Sequence, residues 1–199
     1  MSVKLFVEGG GDSKELHSRC REAFRKLVEK AGLAGRMPRI VACGGRTVAY
    51  RDFCIALRTA NVTEYPMLLV DSESTVADAP WSHLEGQDRW QRPDTAADDQ
   101  AQLMVVCMES WVLADRNALK RVFGQGLRVS ALLPEEGLEN RTKDDVQLSL
   151  TNATRDCGRD RCYTKGRRSF QVVGELNPTT LSKYLPHFRR LIDGLNQHL

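Results

Sequence analysis

The sequence lacks any hydrophobic run long enough to cross a bilayer, which takes about 20 apolar residues. Its N-terminus also lacks the basic start, apolar stretch and small-residue cleavage site of a secretory signal. We therefore expect a cytoplasmic protein with no membrane partner. A chain of 199 residues is long enough for one well-buried core and short for two, so we predict a single domain over residues 1–199.

Two chemical signatures are also missing. The cysteines and histidines form no convincing zinc-ligand spacing, because Cys157 and Cys162 have four residues between them and no second pair or histidine nearby. We expect reduced thiols, the usual state in a cytosolic protein. The chain has no Gly-x-x-x-x-Gly-Lys-Ser/Thr sequence, so we predict that it has no ATPase activity of its own.

Short apolar runs alternate with amphipathic segments through about the first 125 residues. Four runs have the composition of strands, at residues 3–7, 39–43, 67–70 and 102–107. Helical periodicity between them predicts the α/β class, with a mainly parallel, Rossmann-like sheet of about four strands flanked by helices. We place this core at about 1–125 and predict a helical C-terminal extension at about 126–199.

Capping residues set the expected helix boundaries. We predict that Asp12 begins the first helix, with Glu15 in a capping box, and that Thr47 caps the second. Further helices are expected over 109–123 and 142–154. In the first of them, we favour a core position for Trp111 over a base-stacking role. Asn177 and Pro178 begin a last helical region that Pro186 divides.

Residues 72–100 interrupt the alternation of strands and helices. A short helix near Pro80 is expected, but the length of the segment favours a functional loop. Trp81 and Trp90 are its candidates for stacking on nucleic-acid bases, or for covering the edge of the sheet.

Acidic residues follow two of the predicted parallel strands. Glu8 comes directly after the first strand, and Asp71 and Glu73 follow the third. Asp12 lies over the same edge, beyond the turn of glycines 9–11. Ligands bind at the carboxyl ends of such strands, and clustered carboxylates repel unless they are protonated or bridged by a cation. The pattern predicts a site for Mg²⁺ or Mn²⁺, although Asp12 as a helix cap and the others as solvated turn residues remain open.

A basic segment precedes the C-terminal helices. It contains Arg155, Arg159, Arg161, Lys165, Arg167 and Arg168. The net charge of +3 does not by itself indicate a nucleic-acid partner. The segment is either a solvated loop or a surface that contacts phosphates.

The acidic motifs resemble those of the Toprim fold. Glu8-Gly9-Gly10-Gly11-Asp12 resembles its Glu-Gly motif, and Val70-Asp71-Ser72-Glu73 resembles its Asp-x-Asp motif with glutamate as the second acid. From residue 7 to about 170 the chain is similar to the DUF4276 family, whose members resemble the Toprim nuclease part of OLD-type proteins. Further matching segments are Cys43–Arg46, Cys107–Trp111 with Ala114-Asp115, and Lys165 followed by Ser169-Phe170.

The resemblance implies a metal-dependent nuclease. Its implied catalytic residues are Glu8, Asp12, Asp71, Glu73 and Lys165, its metal ligands are these four acids with Glu109, and its backbone contacts are Arg46, Arg167 and Arg168. Glu109 is equally explained as a favourable charge at a helix N-terminus. The implied substrate is DNA rather than RNA, and the implied role is that of a defence effector working with a separate ATPase. A homodimer is compatible with the sequence.

Two other functions remain open at this point. The first is a binding module that holds metal or nucleic acid without cleaving it. The second is a small-molecule phosphotransferase or phosphatase that uses the same acids. The second ranks last, because many phosphatases of this architecture need an aspartyl nucleophile where this chain has Glu8.

Overall fold

A computed structural model describes residues 2–158 and 162–199 of the chain. Arg159, Asp160 and Arg161 of the predicted basic segment lie outside the described residues. Within the part that is described, no helix has the length and apolar character needed to cross a membrane.

Four parallel strands form the sheet, in the order β2-β1-β3-β4. They are β1 (Ser2–Val7), β2 (Arg39–Ala42), β3 (Glu64–Asp71) and β4 (Ala101–Met104). The prediction of an α/β fold with about four parallel strands is confirmed, and the architecture is consistent with a Toprim-like, Rossmann-type fold. The sheet grows outward in opposite directions from β1 and β3, so the gap between these two strands is its topological switch point.

Helices flank the sheet and follow it toward the C-terminus. They are α1 (Lys14–Val28), α2 (Arg46–Thr59), α3 (Pro80–Asp88), α4 (Met108–Ala114), α5 (Arg116–Phe123), α6 (Lys143–Thr154), α7 (Arg167–Glu175), α8 (Pro178–Tyr184) and α9 (Pro186–His198). Because parallel crossovers are right-handed, α1 and α2 lie on opposite faces of the sheet. Helix α7 packs along α1, and this pairing brings the C-terminal half of the chain to the site edge.

One apolar cluster joins the sheet, the early helices and the C-terminal helices. Trp111 is fully buried, as predicted, and packs between Phe24 of α1 and Phe188 of α9. The inward positions predicted for α6, Val146, Leu150 and Ala153, are also buried. Burial of such side chains contributes about 1.5–3 kcal/mol for each large aliphatic or aromatic residue.

Three predicted helix boundaries are wrong. Helix α1 is capped by Ser13, whose hydroxyl accepts a hydrogen bond from the Leu16 amide, and not by Asp12. Gly45, and not Thr47, precedes the first residue of α2. The single helix predicted for residues 109–123 is two helices, because Asp115 leaves helical geometry and caps α5.

Residues 72–100 are more ordered than the predicted functional loop, because they contain a helix and pack against the core. Helix α3 begins at Pro80, as expected. Trp81 is buried against Phe53 and its indole donates a hydrogen bond to the Ala97 carbonyl. Of the two roles that the sequence left open for Trp81, the structure therefore favours a covering role and not base stacking. Trp90 is stacked on Tyr50, with ring centroids 4.4 Å apart. The segment covers one edge of the core and contacts the site.

Candidate metal centre

Three carboxylates meet at the topological switch point. Glu8 follows β1, Asp71 ends β3, and Glu73 lies two residues beyond it. One oxygen from each lies within 4.8 Å of the others. We call Glu8, Asp71 and Glu73 the acid group. Their convergence follows from topology, because β1 and β3 are hydrogen-bonded neighbours whose carboxyl ends share one edge.

Backbone amides hold two members of the acid group in place. The Met108 amide, at the first residue of α4, donates to Asp71 Oδ1 at 2.8 Å. The Asp71 amide donates to Glu8 Oε2 at 3.0 Å. Asp71 is 8% exposed, so rotation of its side chain into water is restricted. The arrangement fixes the carboxylates before any ligand binds.

Glu73 is held in an unusual backbone conformation. Its φ of 67° lies in the left-handed region, which costs a non-glycine residue about 1–3 kcal/mol. The turn is secured by the Glu73 amide, which donates to the Val106 carbonyl at 2.9 Å, and by His83, whose Nε2 is 2.8 Å from the Ser72 carbonyl oxygen. Such strain persists where the surroundings determine the conformation, as they do at many functional sites.

Burial makes the acid group costly to ionise. Burial raises the pKa of Asp71 well above its usual value, and the charges of Glu8 and Glu109 raise it further. Burial also raises the pKa of Glu8, although Arg46 and the Asp71 amide oppose the change. A pair of acids in this condition accepts a proton or a cation readily.

Two basic side chains offset part of this charge. Lys143, the first residue of α6, donates to both carboxylate oxygens of Glu73 at 2.6 and 2.5 Å and lies 3.9 Å from Asp71 Oδ2. Burial lowers the pKa of Lys143, but the hydrogen bond to Glu73 and the charge of Asp71 outweigh it and raise the pKa. Lys143 is therefore a permanent positive charge at the acid group.

Arg46 supplies the second positive charge from the N-terminus of α2. Its guanidinium donates to the Asp71 carbonyl oxygen and lies 3.4 Å from Glu8 Oε2. The other side of the guanidinium is paired with both oxygens of Asp88 from α3. The guanidinium carbon of Arg46 lies over the ring of Trp90, 4.9 Å from the ring centroid. Arg46 is thus positioned by several partners and bridges the site to α3.

The glycine turn after β1 is tied to the turn after β2. Gly9 and Gly44 exchange two backbone hydrogen bonds of 2.9 Å. His17 Nε2 lies 2.6 Å from the Gly11 carbonyl oxygen and fastens the turn to α1. Gly10 has φ of +98°, and a Cβ there would lie 2.7 Å from the His17 ring. Glycine is required at this position because both the conformation and the space exclude a side chain.

A cavity of about 300 Å³ opens beside the acid group. We call it the site cavity. It is lined by Glu8 and Asp71, the glycine turn, Glu109, Lys165 and Phe170, among others. Glu109 is buried and accepts a hydrogen bond of 2.9 Å from the Tyr163 hydroxyl. The pKa of Tyr163 is raised by burial and by the Glu109 charge, so the hydroxyl keeps its proton for this bond.

The structure brings some predicted site residues together and separates others. Glu8, Asp71 and Glu73 form the acid group, with Glu109 and Lys165 on the wall of the site cavity. Asp12 is exposed and is not a member of the acid group. Arg167 and Arg168 lie in the first turn of α7, in a groove that runs from this edge along α1. The roles assigned to these residues stay predictions.

Sequence reasoning missed four residues that organise the site. They are Lys143, Asp88, His83 and His17. Each acts across 6 to 70 positions of sequence, on a carboxylate, on Arg46 or on a backbone carbonyl. No local motif marks them, because their partners are assembled only by the tertiary fold. The position of the acids at the strand ends was the available signal. It located the site at the edge of the sheet, but it did not indicate the residues that hold the site in place.

The donor set fits a hard divalent cation. The acid group offers carboxylate oxygens alone, which are ligands preferred by Mg²⁺ and Mn²⁺. Each carboxylate is already oriented by a backbone amide, Arg46 or Lys143 and keeps lone pairs for a ligand. A bound cation would also relieve the cost of ionising two buried acids at once.

Comparison with known proteins places the chain in one sequence family. The model of a domain of unknown function, DUF4276, matches residues 7–196. The match includes the acid group, Lys143 and the C-terminal helices. No curated protein and no solved structure matches the chain.

Proposed function

The chain belongs to the DUF4276 family, and we propose that it is a metal-dependent nuclease that hydrolyses phosphodiester bonds of DNA. The observation that carries the proposal is the acid group, with its oxygens within 4.8 Å of one another at the switch point of a parallel sheet. Three oriented carboxylates beside a cavity can hold the metal ions that assist phosphoryl transfer. The basic side chains around them suit a substrate that carries negative charge.

Each part of the site has a role in this proposal. Glu8, Asp71 and Glu73 hold Mg²⁺ or Mn²⁺, which when bound supplies Lewis acidity to the phosphodiester and to water. Lys143 and Lys165 stabilise the negative charge that builds on the phosphate. The glycine turn lets the sugar-phosphate backbone approach closely, since it presents no side chains to the cavity.

Arg46 acts as a positioning residue in this proposal. Its bonds to Asp88, the Asp71 carbonyl and Glu8 leave it oriented by protein groups on two sides. It keeps Glu8 beside Asp71 and adds positive charge behind the metal ligands. Contact with nucleic acid, predicted from the sequence, stays a prediction, because all three guanidinium nitrogens donate to protein groups in this structure.

A partner protein completes the proposed biological role. OLD-type nucleases, which the motifs resemble, join their Toprim part to an ATPase, whereas this chain has no phosphate-binding loop motif. We place the ATPase in a separate protein and the pair in defence against phage or plasmid DNA. Co-purification with the product of a neighbouring ATPase gene tests this part.

Plasmid cleavage tests the nuclease proposal. Purified protein is incubated with supercoiled plasmid and Mg²⁺ or Mn²⁺, beside an EDTA control and the Asp71→Asn variant. We expect nicked or linear plasmid from the wild type, and at least a hundredfold slower conversion from Asp71→Asn, because a metal ligand is weakened. Asp94→Asn, an exposed aspartate outside the acid group, is the matched control and keeps wild-type activity.

Three results would contradict the proposal. Cleavage that persists in EDTA or in Asp71→Asn would place the chemistry outside the acid group. Hydrolysis of a small phosphoester with intact plasmid would favour the phosphatase alternative. Metal binding without either activity, also after the product of the neighbouring ATPase gene is added, would favour a binding module.

A further inference from the structure

A polar groove runs between α1 and α7 and begins beside the acid group. Its volume is about 710 Å³, and we call it the α1–α7 groove. Phe170 lines both this groove and the site cavity. Lys165 and Gly166 line the site cavity, and Arg167 and Arg168, next along the chain, line the groove. The groove and the site cavity therefore adjoin at Phe170.

Positive side chains stand on both walls of the groove. Arg19 and Lys26 come from α1, and Arg167 and Arg168 come from the first turn of α7. Arg19 and Lys26 are seven residues apart in sequence, which is two helical turns and about 10.5 Å along the axis. This spacing lets the two side chains contact different phosphates of one strand.

Acidic residues reduce but do not cancel this charge. Glu22 and Glu175 also line the groove, and Glu22 pairs with Lys26 at 2.8 Å. Arg19 pairs with Glu15 at 2.9 Å. These pairs are exposed, and exposed ion pairs contribute little, so a phosphate can compete for the basic partner. Four basic and two acidic residues leave the groove with net positive charge.

We propose that the α1–α7 groove binds the sugar-phosphate backbone of one DNA strand and leads that strand to the acid group. The inference rests on the proposed nuclease function, and it adds Arg19 and Lys26 of α1 to the basic residues of α7. The groove takes a single strand, because it is a channel between two packed helices whose volume suits a few nucleotides. Thr164 and Gln171 on the same walls supply neutral donors for phosphate oxygens.

Binding is measured without cleavage by fluorescence anisotropy of a labelled 15-nucleotide DNA strand in EDTA. The groove variant is Arg19→Ala/Arg167→Ala. The matched control is Arg51→Ala/Arg58→Ala, which also removes two exposed arginines, one of them ion paired, from α2 on the opposite face of the sheet. A labelled RNA strand of the same sequence is the second arm. Circular dichroism and thermal unfolding show that both variants fold.

We expect the groove variant to bind DNA at least tenfold more weakly than the wild type, while the control changes less than threefold. With four phosphate contacts, the slope of log K against log salt is about −2.8, and it falls in magnitude by about 1.4 in the groove variant. Equal losses in both variants, no loss in the groove variant, or binding of RNA but not DNA would overturn the proposal. DNA binding through the groove without any plasmid cleavage, also after the product of the neighbouring ATPase gene is added, would retain the groove and reject the nuclease.

Discussion

At the scale of single residues, the acid group depends on charges that come from distant parts of the chain. Lys143 lies 70 positions from Glu73, and Arg46 lies 38 positions from Glu8. Both basic groups hold a carboxylate that a cation would also bind. The site is therefore balanced between internal ion pairs and an external ion.

Replacing Lys143 shifts that balance toward the metal. In Lys143→Met, Glu73 loses a charge-assisted hydrogen bond, a contribution of about 1.5 kcal/mol, which corresponds to about tenfold in affinity. We expect Mn²⁺ to bind the variant about tenfold more tightly in calorimetry, because the ion no longer displaces an ammonium group. Lys120→Met, on the exposed side of α5, is the charge-matched control and leaves the affinity unchanged. Weaker binding by Lys143→Met would show that the lysine supports the ligand geometry and does not compete with the ion.

Two glycines allow backbone conformation to be tested with the same substitution. Gly10→Ala places a Cβ 2.7 Å from the His17 ring at φ of +98°, and we expect it to lower the free energy of unfolding by about 1–3 kcal/mol. Gly86→Ala adds a methyl in open space within α3 and raises it by about 0.5–1 kcal/mol. Urea denaturation measures both. Equal effects of the two substitutions would contradict the role given to the glycine turn.

Strand-end position was enough to predict the acid group from the sequence. Glu8, Asp71 and Glu73 were predictable because parallel strands present their carboxyl ends at one edge. Asp12 and Ser13 compete for the same cap, and composition does not separate two good capping residues. Lys143 carried no signal, since its partner Glu73 lies in another part of the chain.

At the scale of elements, the helix predicted for residues 109–123 shows why a continuous apolar period is insufficient. Asp115 Oδ1 accepts from the amides of Asn117 and Ala118, while Oδ2 accepts from the amide of Asn177 at 2.8 Å. The aspartate is buried, so it ends α4, caps α5 and anchors the start of α8. Its role at α8 depends on a residue 62 positions away, so the local sequence does not indicate it.

Removing this cap is expected to destabilise the protein more than removing an exposed one. Asp115→Ala loses the cap of α5, which contributes about 1 kcal/mol, and also loses the hydrogen bond from the Asn177 amide, which contributes roughly a further 0.5–1.5 kcal/mol. We expect a loss of about 1.5–2.5 kcal/mol in urea denaturation. Ser13→Ala, which removes only the exposed cap of α1, serves as the comparison and costs about 1 kcal/mol. Similar losses in the two variants would contradict the bridging role of Asp115.

Helix α7 could not be predicted from the sequence because its first turn is strongly basic. Its first turn, Arg167 and Arg168, belongs to a segment that composition describes as a basic loop. The buried residues that make it a helix are Phe170, Val172 and Val173, which pack toward the core. Tertiary packing against α1, and not local propensity, explains most of its stability.

At the scale of the whole molecule, the chain concentrates opposite charges in two neighbouring places. The acid group lies at the switch point, and the basic α1–α7 groove starts beside it. The formal net charge of +3 conceals this separation, because acids and bases nearly cancel along the chain. The parallel sheet and the apolar cluster join both features in one packed core, so a polymer bound in the groove would lie next to the acid group.

The central claim is that the acid group binds a divalent cation. Titration with Mn²⁺ tests it most directly, with the free ion measured by its electron paramagnetic resonance signal. We expect saturable binding by the wild type, binding at least tenfold weaker by Asp71→Asn, and unchanged binding by the control Asp94→Asn. The same affinity in wild type and Asp71→Asn, or no binding by the wild type, would contradict the account.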